Sequence, residues 1–245
     1  MNPCKHTLVV LLFLAGLLLS CSRPSPAEDP VTEEAKVVVN RRSDGTISSV
    51  NQVNEYDQIH GTRVSYYRDG KTLYSKQSVQ HGKKHGPSQW YYENGKLFEE
   101  ASYEHGKRNG PHRKYYKTGE LLAEYAYEKG HPLPGLKEYQ KDRTLVSDYP
   151  EVHFREIDRL ADRNRIDLEI SCPRSKGNMK FHRVRQLNGE EERVYLITEK
   201  GKALLQFYVQ PGKSIDEMVY IIAEIPTDMG NLWVLEKSYR LQATN

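Results

Sequence analysis

The chain has 245 residues, 37% hydrophobic and 28% charged, with 36 Lys+Arg against 33 Asp+Glu and a formal net charge of +3. So small a cationic excess is no electrostatic footprint for nucleic acid, which excludes proteins that grip DNA or RNA through a basic face. A mean hydropathy of −0.76 describes a soluble fold, from which a single N-terminal stretch departs.

In that stretch, Lys5 and His6 precede an apolar run from Leu8 to Leu19, interrupted only by Ala15 and Gly16. Its twelve residues fall short of the roughly 20 that a membrane-spanning helix needs, and they fit the core of a signal peptide. The run ends in Leu18-Leu19-Ser20-Cys21, which resembles a bacterial lipobox. That resemblance implies removal of residues 1–20, diacylglycerol on the Cys21 thiol and a palmitate-type acyl chain on its freed amine. Several acyl chains make a stable membrane anchor where one is marginal. The plainer alternative is an ordinary secretory signal with a chance cysteine at its end. Ser22 follows Cys21 in place of the aspartate that favours inner-membrane retention in enterobacterial lipoproteins, so the expected address is the outer membrane. Residues 21–39 carry Pro24, Pro26 and Pro30 without apolar periodicity and read as a flexible tether, rising about 3.1 Å per residue where extended. Cys4 leaves with the signal, so Cys172 is the remaining thiol; it sits in the alternating run Asp167–Cys172 and is expected to be buried and inert.

Residues 40–145 repeat. Tyr66-Tyr67-Arg68-Asp69-Gly70-Lys71, Tyr91-Tyr92-Glu93-Asn94-Gly95-Lys96 and Tyr115-Tyr116-Lys117-Thr118-Gly119-Glu120 align at intervals of 24 or 25 residues. Gly82, Gly106 and Gly130 recur in the same phase, as do Gly61, Gly86, Gly110 and Gly135. Asp44-Gly45 begins an earlier copy, and Asp142-Arg143-Thr144-Leu145 is a fading last one. Asn-Gly and Asp-Gly between aromatic runs are hairpin signals because type I′ turns need positive φ, and His81-Gly82 and His105-Gly106 supply the return turns. Alternation puts Leu97, Glu99, Ala101 and Tyr103 on one face, and stacking places Leu73, Leu97 and Leu121 in one ladder and the tyrosine pairs in another. A lone hairpin is marginal in water, so neighbouring units must supply the buried surface. The motif Tyr-Tyr-x-Asn-Gly-Lys-Leu, then Glu, then Tyr-x-x-Gly-Lys-x-x-Gly, clearest over Trp90–Gly110, resembles the MORN-repeat variant of bacterial proteins. The resemblance implies a β-hairpin array and no catalytic residues.

From Val146 the repeat is gone. Phe154, Ile157 and Leu160 have helical spacing and suggest one short helix. Strands are expected over residues 166–171, 181–187, 193–198, 203–209, 218–225 and 232–241, with Glu190-Glu191-Glu192 in a solvated turn. Trp233, Leu235, Tyr239 and Leu241 share one side of the last strand. The fold class is therefore all-β: a tandem β-hairpin repeat sheet followed by a small antiparallel β-sandwich-like domain over 146–245.

Chemistry is sparse. Gly212-Lys213-Ser214 has Phe207 where a phosphate loop needs glycine, so it is a turn. His81 and His85 lie among turn glycines and read as solvated rather than metal-binding. Asp216, Glu217, Glu224 and Asp228 are dense in sequence without a spacing that pairs two of them. No catalytic residue, cofactor or metal is expected. Residues 61–120 hold twelve Lys+Arg against six Asp+Glu, and Lys83-Lys84 and Lys107-Arg108 recur in phase along one sheet edge. Edge lysines discourage sheet-to-sheet pairing, which is the bland reading; the sharper one is contact with anionic lipid or an acidic partner. The expected role is a non-catalytic binding or scaffolding lipoprotein that meets the membrane through Cys21 and a protein or glycan through its repeats. An antitoxin- or immunity-like protein neutralising one toxic partner is the alternative.

Overall fold

The computed structural model describes residues 36–173 and 178–245; the expected signal peptide, Cys21, the expected tether up to residue 35 and residues 174–177 lie outside the described residues. Ten strands form one antiparallel sheet, ordered along the chain. They are β1 (Lys36–Arg41), β2 (Ile47–Val53), β3 (Ile59–Tyr66), β4 (Leu73–Gln80), β5 (Lys83–Tyr91), β6 (Leu97–Glu104), β7 (Lys107–Tyr115) and β8 (Leu121–Glu128). The two-residue β9 (His131–Pro132) and β10 (Lys137–Glu138) both pair with β8. Residues 36–39, assigned above to the tether, are part of β1, where three successive valines favour strand.

Two kinds of turn alternate along this sheet. His81-Gly82, His105-Gly106 and Lys129-Gly130 each have positive φ at both residues, as a two-residue type I′ turn requires. At the Asp69-Gly70 and Asn94-Gly95 loops the glycine alone has positive φ. Here the expectation of type I′ geometry is corrected: Tyr92 N–H donates to Lys96 O at 2.8 Å and Gly95 N–H to Tyr92 O at 2.9 Å, closing a longer loop. The Asn94 side chain accepts from Lys96 N–H at 3.1 Å, competing locally with strand pairing. The last copy keeps this loop, with Arg143 at φ 70 in place of glycine.

Each loop brings a tyrosine onto the next unit. Tyr67 Oη donates to Tyr91 O at 2.6 Å, Tyr92 Oη to Tyr115 O at 2.7 Å and Tyr116 Oη to Tyr139 O at 2.8 Å. In the first copy Arg42 takes this place, donating to Tyr66 O at 2.8 Å. The tyrosine ladder is therefore a series of hydrogen bonds between repeats as well as a packed row.

A recurring bulge changes the expected faces. Trp90 opposes Glu99 but Tyr91 opposes Leu97, leaving Phe98 as an extra residue. Strict alternation from Leu97 through Tyr103 is thus corrected: Leu97 pairs with Tyr91, while Phe98 turns its ring edge-to-face onto Tyr92 at 5.0 Å. Tyr74 repeats the arrangement with Tyr67 at 5.2 Å. The residues buried along this sheet are mostly small, such as Ser75, Ser88, Ala101 and Ala123, because only neighbouring side chains cover them.

The C-terminal strands form two four-stranded sheets. One comprises β11 (His153–Arg159), β12 (Arg165–Ser171), β15 (Thr198–Glu199) and β16 (Lys202–Tyr208); the other comprises β13 (Lys180–Leu187), β14 (Glu190–Leu196), β17 (Ser214–Pro226) and β18 (Leu232–Thr244). Leu168, Ile170 and Phe207 from the first and Phe181, Val219, Ile221 and Leu241 from the second share one core, with Trp233, Leu235 and Tyr239 packed against it. Cys172 is buried there. The helix expected over Phe154, Ile157 and Leu160 is strand β11 through Arg159, paired residue by residue with β12; a short helical turn, α1, follows at Leu160–Arg163. Cross-strand pairing with an apolar neighbour outweighed a three-residue spacing. Glu190–Glu192 are exposed but lie in β14, not in a turn, because Asn188-Gly189 alone makes the two-residue link.

Sheet and sandwich meet at Glu138. This carboxylate is 1% exposed, and its Oε1 accepts from Thr227 Oγ1 at 2.6 Å and Asn231 Nδ2 at 2.7 Å in the β17–β18 turn. Beside it Tyr149 stacks on Trp233, ring centres 4.1 Å apart and 8° from parallel.

Candidate functional site

One face of the repeat sheet combines aromatic rings with cations. Strands β4 to β8 present it because Trp90 opposes Ser75 and Glu99, and His112 opposes Ala101 and Tyr125, so these side chains fall on the same side. Lys84 Nζ lies 4.7 Å from the ring centres of both Trp90 and Tyr103. The Arg108 guanidinium lies 5.2 Å from the Tyr127 ring centre and donates to its hydroxyl at 3.2 Å. Lys114 Nζ is 6.0 Å from the Tyr125 ring. A cation over a ring face is held by the ring's quadrupole, which fixes the position of a side chain that would otherwise sample many rotamers.

Glu99 organises the middle of this face. Its Oε1 is 2.9 Å from Nε2 of His112, which is 1% exposed and stacks on Tyr125 at 4.5 Å. Arg108 Nη2 is 3.6 Å from the same oxygen. Burial raises the Glu99 pKa, but His112, Arg108 and Lys114 together outweigh it and hold the carboxyl below its ordinary range. Burial likewise opposes the charge on Arg108, and Tyr103 and Tyr127 outweigh it, so the guanidinium stays protonated. For Lys114 burial dominates and lowers the pKa, against the pull of Glu99.

Two adjoining depressions result. The first, of about 450 Å³, runs from Tyr67 and Tyr74 past Lys84, Trp90 and Phe98 to Glu99 and Arg108. The second, of about 350 Å³, shares Glu99 and Arg108 and continues through Lys114, Tyr125 and Tyr127 to Gly230–Leu232 of the sandwich. Phe98 and Tyr74 remain 37% and 45% exposed at the open side, so ring surface is available to a visitor.

The four basic residues singled out from the sequence divide between two surroundings. Lys84 and Arg108 are half-buried within the aromatic face. Lys83 and Lys107 are exposed, their stems beside the next unit's Gly106 and Gly130. Sequence phase found the cations but missed their rings, because the bulge and the cross-strand register set those contacts. It missed His112 too: a histidine between Pro111 and Arg113 carries no periodic signal, and its importance appears only when the register sets it opposite Ala101, on the same face as Glu99, which opposes Lys114.

The histidines pair between units: His60 in β3 stands 4.9 Å from the turn residue His81, and His85, which lies in β5 rather than in the expected turn, stands 5.1 Å from the turn residue His105, between ring centres. Among the described residues no three His, Cys, Asp or Glu side chains come together as a metal site. The dense carboxylates of the last domain are separated by partners: Asp216 takes Arg240 at 2.8 Å, Glu217 takes Arg183, and Glu224 lies 3.6 Å from His182.

Residues 84–105, the segment carrying Lys84, Trp90, Phe98, Glu99 and Tyr103, match the family model described as the MORN repeat variant. No curated protein matches the chain. The match supports the family resemblance over this segment, and a hairpin sheet of this kind is consistent with a non-catalytic binding or scaffolding role.

Proposed function

We propose that this chain is a non-catalytic binding protein, held at the cell envelope by a lipid on Cys21, and that its partner sits on the aromatic and cationic face between β4 and β8. The observation that carries the reading is Lys84 fixed between Trp90 and Tyr103, with Arg108 one repeat further on over Tyr127. Interfaces gain most from rigid aromatic and arginine side chains, which contribute area and directed charge at small entropic cost. Here the scaffold has already ordered them. The lipobox at Leu18–Cys21 and the proline-bearing tether support an anchored protein whose binding face stands off the lipid.

The test is site-specific photo-crosslinking in cells, with benzoylphenylalanine at Phe98 on the aromatic face or at Gln89 on the opposite face. A single recurrent adduct from position 98, lost when Lys84→Glu and Arg108→Glu are combined with it, supports the reading. Equal labelling from both positions, indifferent to the charge changes, refutes it. Cys21→Ala should abolish palmitate incorporation and leave the precursor uncleaved.

A further inference from the structure

We propose that the ligand of this face is an acidic glycan whose repeating disaccharide carries one carboxylate, an inference that rests on the binding reading above. The period is the first reason. Two strands per unit at about 4.8 Å put equivalent positions of neighbouring units roughly 10 Å apart, close to the length of an extended disaccharide. Lys84 and Arg108 occupy equivalent positions in successive units, so the sheet offers one cation per such interval. Each comes with aromatic surface: Trp90 and Tyr103 around Lys84, Tyr127 beneath Arg108. Pyranose rings present C–H faces that pack on such rings while their substituents reach sideways.

Charge is the second reason. Lys84, Arg108 and Lys114 face the single carboxylate Glu99, already engaged by His112 and Arg108. The face is left with cationic donors that a ligand carboxylate can accept from, and charge-assisted bonds of this kind are the strong ones. The third reason separates a glycan from a peptide. Strands β4 to β8 are each paired on both sides, so their backbone groups are used within the sheet. A peptide could not add a strand here and would lose the main-chain hydrogen bonds that usually give extended peptides their affinity. A glycan needs only ring surface and side-chain donors, and both are present.

Titration calorimetry on the intact chain tests this with three probes: hyaluronan hexasaccharide, chitohexaose and poly-L-glutamate. Hyaluronan should bind about tenfold or more tighter than uncharged chitohexaose, the worth of a fixed cation–carboxylate contact, and poly-L-glutamate should not compete. Lys84→Gln with Arg108→Gln should erase the preference for hyaluronan; the lost cation–ring and Glu99 contacts lower the melting temperature, and circular dichroism checks that the variant is still folded at the assay temperature. The ligand comparison on the unaltered chain needs no variant, so misfolding cannot obscure it. Equal binding of both hexasaccharides overturns the charge match. Binding of poly-L-glutamate alone, sensitive to the same double variant, overturns the glycan assignment while keeping the face as a binding surface. No binding of any probe overturns the glycan, and position 98 crosslinking then decides the broader reading separately.

Discussion

Glu138 joins the repeat sheet to the sandwich through two hydrogen bonds, and Glu138→Ala measures what they contribute. The carboxylate is 1% exposed and its Oε1 accepts two short bonds, from Thr227 Oγ1 and Asn231 Nδ2. A hydrogen bond to a charged group contributes about 1.5–3 kcal/mol. Because both bonds end on one oxygen they are less than additive. Alanine also strands the two donors in a buried junction, so the expected loss is about 3–5 kcal/mol. For a fold of this size each kcal/mol moves Tm by about 2–4 °C, which predicts a fall on the order of 10 °C by calorimetry. Glu138→Gln keeps the shape and one acceptor oxygen while removing the charge, and should cost about 1–2 kcal/mol. Urea unfolding followed by far-UV circular dichroism gives the same comparison at 25 °C. A loss under about 1 kcal/mol for the alanine variant would mean that packing, such as Tyr149 on Trp233, holds the junction without the carboxylate.

The remaining predictions concern the repeats. Tyr67→Phe, Tyr92→Phe and Tyr116→Phe each remove one inter-repeat hydrogen bond and should cost similar amounts, about 0.5–1.5 kcal/mol, in urea titrations; widely unequal losses would deny the ladder its repeat character. Gly106→Ala should cost about 1 kcal/mol from backbone strain alone, since φ is +87° and the nearest neighbour to a new Cβ is Lys83 Cβ at an ordinary 3.8 Å. Against the pull of burial, His112, Arg108 and Lys114 hold the Glu99 carboxyl below the ordinary glutamate range, so its stabilisation is complete above that range and is lost as pH falls through the folded pKa. Glu99→Gln should therefore be less stable than the parent at pH 7, and the gap should narrow as pH falls through the depressed Glu99 pKa in melts across pH; a gap that stays constant through the acid range would contradict the ion-pair assignment.

Much of the fold was legible because repetition multiplies weak signals. One Asn-Gly is a modest hint, but glycines in three phased series fixed the hairpin count and the strand order along the chain. Turn type was misread at Asn94-Gly95 because the same dipeptide serves a two-residue turn and a longer loop, and only backbone pairing across Tyr92 and Lys96 separates them. Faces were misassigned at Leu97 because a bulge adds one residue to one strand, which period-two counting cannot register. Strand β11 was read as helix because Phe154, Ile157 and Leu160 satisfy both patterns over so short a span, and tertiary pairing with β12 decides between them. Of the site, the cations Lys84 and Arg108 were visible as a charge phase. Their aromatic partners and the Glu99–His112 pair were not, since these join strands whose register is set only on folding.

The face between β4 and β8 is most directly tested by hydroxyl-radical footprinting of tyrosine and phenylalanine side chains, in intact cells and on the purified chain. Tyr74 and Phe98 are exposed on the face, while Tyr56, Tyr208 and Tyr220 are exposed away from it and serve as internal references. If a partner occupies the face, Tyr74 and Phe98 are protected in cells and reactive once purified, and the reference tyrosines react alike in both. If all five react equally in cells and in isolation, the face stands empty where the protein works, and the binding reading is wrong.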